Sequence, residues 1–458
     1  MIDIDPTLQP ASLQDDLERL WPVSGEKVRR LCETYPREQG SPVFTVGGRY
    51  ASRGWTEWTQ GFLYGWAILQ FDATGDEGCL ELGRQGTLAH MAPHVSSVGV
   101  HDHGFNNVST FGNLRRLMLE GRLARDKWEL AFYELALKVS GAVQAARWAE
   151  TVDGTGYIYS FNGPHSLFCD TIRSLRSLAL AHRLGHRLQG ENDASISLLD
   201  RLVQHARATA RYNVFYGEGR DAYDIRGRVA HEAVFNRNDG RFRTPATHQG
   251  YSPYSTWTRG LAWVMAGFAE QLEFLDTVPD AELDPLGGRA EIEALMLRAA
   301  RASSDFYIDH TPTDGVPYWD TGAPGLAEMG DYLHRPADPA NDHEPVDSSA
   351  AAIAAQGLLR LGGHLLGRGD AAGQRYLCAG LTVLRTLLRP PYLSLDPGHQ
   401  GLLLHGVYHR PRGWDHVPEG RLVPCGESVL WGDYHLVEAA LYTRRLARGE
   451  PGYTFFGP

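Results

Sequence analysis

The chain alternates between segments in which apolar residues recur every three to four positions and segments with no period at all. Periodicity and capping residues predict about twelve helices, starting near residues 11, 56, 77, 104, 126, 166, 195, 255, 287, 347, 371 and 426. Strand-like alternation is nearly absent, so the predicted class is all-α. The connections are unequal. Those leaving even-numbered helices are short (73–76, 120–126, 185–194, 366–371). Those entering them are often long and rich in Gly, Pro and aromatic residues (150–165, 212–254, 308–346, 390–426). Six helical hairpins with one end trimmed and the other elaborated is the pattern of an (α/α)6 barrel. The even helices would form its inner ring, and the elaborated end would carry the site. No repeat of about 34–45 residues supports an open solenoid. No linker or low-complexity segment divides the chain, so one domain over 1–458 is expected.

Candidate chemistry clusters at the predicted inner-helix starts. Residues 247–263 read THQGYSPYSTWTRGLAW and run directly into an amphipathic helix. Ser255 is the expected N-cap. Arg259 and Trp263, four apart, share a helix face, and a guanidinium beside an indole suits a flat anionic ring. A capped core helix would carry the same residues, so the weight lies in how often the style recurs. Trp58 and Phe62 are again four apart, in the stretch that begins at Trp55. His101-Asp102-His103 precedes the fourth helix, and Asp170 falls in the first turn of the sixth. Each acid alone reads as a helix cap. As a facing pair they could not both ionise freely. His231 lies in the longest loop, eighteen positions before Gln249. Glu427 and Asp433 read as first-turn acids or barrel-closing ion pairs.

Composition narrows the choice. With 43% hydrophobic and 22% charged residues the chain can bury a sizeable core, and eleven Trp, twenty Tyr and sixteen Phe favour a site that stacks on rings. A net charge of −11 argues against nucleic acid or an anionic membrane as partner. Five scattered cysteines without a CxxC pattern, a polar acidic start and no long apolar run point to the cytoplasm, without structural zinc or a membrane span. The His-Asp-His triplet invites a metal reading. Adjacent side chains diverge, however, and no further ligands follow at a metal-site spacing, so no metal is expected.

Taken together, these residues resemble the unsaturated glucuronyl hydrolases, glycoside hydrolase family 88. The resemblance is carried by the Trp58–Phe62 region, HDHGF at His101, the Asp170 helix start and QGYSPYSTWTRGLAW from Gln249. It continues in DGVPYWD, DSSAAAIAAQGLL and WGDYHLVEA, in order from about residue 50 to 446. It implies an (α/α)6 barrel without cofactor, working as a monomer or homodimer on oligosaccharides that end in a 4,5-unsaturated uronic acid. Asp170 would protonate C4 and help deprotonate the water that attacks C5. The resulting hemiketal then rearranges and releases the sugar. Asp102 and Gln249 would hold ring hydroxyls, with His101 beside them. His231 and Arg259 would bind the ring and its acid group, and Trp58, Phe62 and Trp263 would form the walls.

Two positions depart from the family pattern, Thr171-Ile-Arg173-Ser174 and Phe161, and both are expected near the leaving sugar. Unsaturated rhamnogalacturonyl hydrolases share barrel and mechanism. Alternatives of other classes are a sugar epimerase, which needs paired histidines where only His101 and His231 offer themselves, and a non-catalytic carbohydrate-binding barrel.

Overall fold

The computed structural model describes residues 1–54 and 57–457. Twelve longer helices among them form the architecture. They are α1 (Gln14–Thr34), α2 (Gln60–Thr74), α3 (Glu77–His90), α4, α5 (Lys127–Ala146), α6, α7 (Leu198–Tyr212), α8 (Thr258–Leu275), α9 (Arg289–Asp309), α10 (Ser348–Gly367), α11 (Gly373–Leu387) and α12 (Leu430–Ala447). Two are interrupted. α4 runs His103–Asn107, widens into a π-turn over Val108–Gly112 and continues as Asn113–Leu119. α6 is a short turn, Thr171–Ser174, followed by Arg176–Arg183.

Hydrophobicity sorts these helices into two rings. α2, α8 and α10 are buried on nearly every face, while α1, α7 and α11 alternate buried and exposed residues at helical period. The even helices are therefore the inner ring. α8 packs on α10, α10 on α12 and α12 back on α2, which closes an (α/α)6 barrel.

Small residues set the inner spacing. A Cβ on Gly104 would lie 2.2 Å from the Ser174 carbonyl oxygen, and one on Gly267 would lie 2.7 Å from the Arg173 nitrogen. These glycines let α4 and α8 approach α6 at backbone distance. The barrel axis is crossed by ions with no exposure at all. Arg173 pairs with Glu270 and, at 3.1 Å, with Glu438, while Arg176 and Arg360 lie close to the same acids. Arg173 thus belongs to the barrel's interior and not, as expected, to the leaving-sugar side.

Three boundaries differ from the sequence reading. Helix six starts at Thr171, because Ser166–Phe168 forms a strand (β1) beside Glu232–Phe235 (β2), which pairs in turn with Phe242–Ala246 (β3). Three residues are too few to show an alternating pattern. Ser255 does not cap α8: Trp257, in an extended conformation, precedes its first residue, and the Ser255 hydroxyl donates to the Ser252 carbonyl. The helix start expected near 56 falls at Trp55 and Thr56, outside the described residues; Glu57–Thr59 is a 3-10 turn before α2.

Candidate active site

Asp102 and Asp170 stand immediately before the first residues of α4 and α6, yet neither side chain caps its helix. Asp347 shows the ordinary behaviour, accepting from the Ser349 and Ala350 amides at the start of α10. Asp102 and Asp170 turn instead towards one imidazole. His101 Nε2 lies 3.7 Å from Asp102 Oδ1 and 3.5 Å from Asp170 Oδ1. The two predicted carboxylates are therefore brought together, across a histidine.

The surrounding residues hold this geometry. The Gly104 amide donates to Ser174 Oγ at 2.8 Å. Gln144, on α5, donates to both the His101 carbonyl and Ser174 Oγ. Asp170 follows β1, whose extension at Cys169 donates its amide to the His231 carbonyl at 2.8 Å. The triplet 101–103 divides as its alternating directions demand. His103 points outward to Ser140 and the Ser97 carbonyl, and burial pulls it down to about 4. No group of three or more metal-ligating side chains occurs among the described residues.

The proton balance follows from burial and neighbours. Burial pushes Asp102 above the usual carboxylate range, and Asp170 adds to the effect against the opposing pull of His101. Burial acts on Asp170 too, but its contact with His101, and His231 beyond, holds it below that range. For His101, burial opposes the charged ring and the two carboxylates outweigh it, so its pKa is raised. In the ligand-free site a shared proton therefore rests on Asp102 or His101 in preference to Asp170. The acid expected to stay partly protonated is the more acidic of the pair.

These groups line a cavity of about 190 Å³. Trp58 and Trp263 line it, Trp58 over Trp431 at 4.9 Å and Trp263 against Phe105 at 4.6 Å. Phe62 does not line the cavity; fully buried, it packs edge-on behind Trp58 at 5.9 Å. Phe161 does line it, and stacks near His101. His231 sits one layer back, its Nδ1 accepting the His248 and Gln249 amides. Burial lowers it to about 3, so the ring is neutral.

Arg259 departs most from expectation. It touches the cavity but is only 1% exposed. Its guanidinium donates to Asp347 Oδ2 at 2.8 Å, to the Val407 carbonyl, to the Tyr408 carbonyl at 2.7 Å and to Gln249 Oε1 at 3.1 Å. Its charge is met by Asp347, and its other Nη donors are committed to the fold. The expected clamp on the substrate's acid group is thus replaced by a tie between α8, α10 and the 407–408 segment.

The chain as a whole is similar to known proteins. The chain is 28% identical over 437 residues to an unsaturated glucuronyl hydrolase of Bacillus sp. (strain GL1), covering 94% of this chain and 96% of that one. It is 26% identical over 385 residues to an unsaturated glucuronyl hydrolase of Formosa agariphila, covering 84% and 79%. This chain is a relative of the unsaturated glucuronyl hydrolases. The solved structure of an unsaturated glucuronyl hydrolase specific for heparin superposes with a TM-score of 0.71 at 20% identity, over 96% of this chain and all of that one, which shows the shared fold. No protein-family model matches the chain.

Beyond the residues that carried the resemblance, this relative of the glucuronyl hydrolases lines its cavity with His248, Trp257, Tyr408, His409 and Trp414. Three of these come from the loop 390–426. Its length and aromatic content were the available signal, but a loop's path over a barrel mouth leaves no period in sequence.

Proposed function

We propose that this protein is a glycosidase acting on lyase-generated oligosaccharides that end in a 4,5-unsaturated uronic acid. It hydrates the C4=C5 vinyl ether. The observation that supports this most is the pair Asp102 and Asp170, freed from capping and facing one histidine inside a ring-walled cavity.

In this reading Asp170 delivers a proton to C4, and the positive charge that develops at C5 and the ring oxygen is stabilised by the carboxylates. Water adds at C5 and loses its proton to Asp170. The hemiketal formed there opens to a ketone, and the leaving sugar departs from C1. Because Asp170 is the more acidic partner, His101, within 3.7 Å of both carboxylates, is the route by which the proton held on the Asp102 side reaches it. Gln249, oriented by Arg259, presents its amide nitrogen to a ring hydroxyl. Two aromatic walls hold the flat half-chair of the unsaturated ring.

The five cysteines form no disulfides, and no helix among the described residues is long and apolar enough to cross a membrane; both fit work in the cytoplasm. Incubation with unsaturated disaccharides from several polysaccharide lyases tests the reading. Loss of the conjugated-alkene absorbance in the ultraviolet supports it, and an unchanged signal across all uronate classes overturns it.

A further inference from the structure

The mouth of the cavity carries a strap that neither the carboxylate pair nor the aromatic walls explain. Residues 407–415 run from Val407 to Asp415, and both ends of the segment are fixed. Arg259 holds the Val407 and Tyr408 carbonyls from below. Asp415, at the far end, folds back to accept the Tyr408 and His409 amides, the latter at 3.0 Å. Between these ties the His409 side chain lines the cavity with 4% of its surface exposed. Both of its ring nitrogens are buried without a hydrogen-bond partner. Its ring lies 4.9 Å from Trp414 and 5.4 Å from His248.

A buried imidazole with neither nitrogen bonded is costly to the fold, and one that lines a cavity recovers that cost when a ligand supplies the missing partners. A strap pinned so firmly on its backbone leaves His409 one freedom, rotation of the ring, and that rotation turns either nitrogen to the cavity. We infer that His409 is a substrate-binding residue, giving and accepting hydrogen bonds with sugar hydroxyls on the side of the ligand away from the carboxylate pair. The ligand class is a neutral diol and not an anion. Burial, followed by His248, Arg259 and Arg412, pulls His409 down to about 3, and a neutral imidazole offers one donor and one acceptor. The inference rests on the glycosidase reading, and its test separates the two.

The test uses the unsaturated disaccharide released by a chondroitin lyase, with the full chain, His409→Ala and His409→Gln. Steady-state kinetics give KM and kcat. Quenching of tryptophan fluorescence in an Asp170→Asn background gives Kd without turnover. His409→Ala should raise both KM and Kd about tenfold, the loss of one to two net hydrogen bonds, with kcat within about twofold and Tm unchanged. Glutamine, which also offers a donor and an acceptor, should recover most of the affinity. KM and Kd within twofold of the parent overturn the inference and leave the glycosidase reading intact. A lower Tm with a fall in kcat alone makes His409 structural and also overturns it. An unsubstituted protein that consumes none of the unsaturated disaccharides across the uronate classes and, as Asp170→Asn, binds none of them overturns both.

Discussion

Arg259→Ala offers a quantitative test of how the site is built. The substitution leaves Asp347 buried opposite no cation, and releases the Val407 and Tyr408 carbonyls and Gln249. Breaking a buried pair by removing one partner costs about 3–5 kcal/mol. Unfolding entropy of about 2.1 cal/mol/K per residue gives about 1 kcal/mol/K for a chain of this length, so Tm should fall by about 3–5 °C. The same change loosens the strap and the Gln249 amide, so KM should rise and kcat should fall among the molecules that remain folded. Arg259→Lys keeps a charge for Asp347 but loses the planar fork that spans two carbonyls, and should fall between the two. Thermal denaturation and kinetics on the same preparations decide the matter. A Tm within about 1 °C of the parent together with a raised KM would show that the guanidinium is free to clamp the substrate's carboxylate, and the present account of Arg259 would be wrong.

Further outcomes follow from the same contacts. Asp170→Asn should lose nearly all turnover while still binding sugar; retention within about tenfold, about 1.4 kcal/mol, would mean another group protonates C4. Burial lifts Asp102, so the pair keeps its proton to a higher pH than an ordinary carboxylic acid. Turnover should accordingly be present on the acid side and lost as pH rises through that pKa, and a pH–rate profile of Asp102→Asn should lack this basic limb. Gly104→Ala forces a Cβ to 2.2 Å from the Ser174 carbonyl and should separate the two carboxylates, cutting kcat by at least tenfold with a lower Tm. Arg173→Met removes the nearer of the two cations that Glu270 and Glu438 share and should destabilise the barrel by about 3–5 kcal/mol, read by denaturant unfolding.

The extent to which the sequence disclosed this site has physical limits. The inner ring was legible because the unusual residues and the long connections gather at the starts of the even helices, and the fold bears this out in α2, buried on nearly every face, against α11, buried on one. Asp102 and Asp170 were legible as a pair because both open inner helices at the elaborated end. What each acid does there was not, since a cap and a free carboxylate share the same position and only the fold shows that neither caps. Arg259 was misjudged for a related reason. Its partners are 88, 148 and 149 positions away, and no local pattern announces them. Arg173 is expected near the leaving sugar only because its stretch departs from the family pattern; its counter-charges, Glu270 and Glu438, lie on other inner helices, out of reach of a local reading. His409 was invisible to periodicity, since loops are placed by tertiary contacts such as those of Arg259 and Asp415.

The central claim is that the double bond, and not the glycosidic bond, is attacked. Turnover of an unsaturated disaccharide in D2O, followed by NMR and mass analysis of the uronate product, tests it most directly. Hydration led by proton transfer to C4 predicts one deuterium fixed at C4 and loss of the C4=C5 signal in step with sugar release. Release of a uronate that keeps its double bond, with no deuterium at C4, would contradict the account and assign the carboxylate pair to ordinary glycoside hydrolysis.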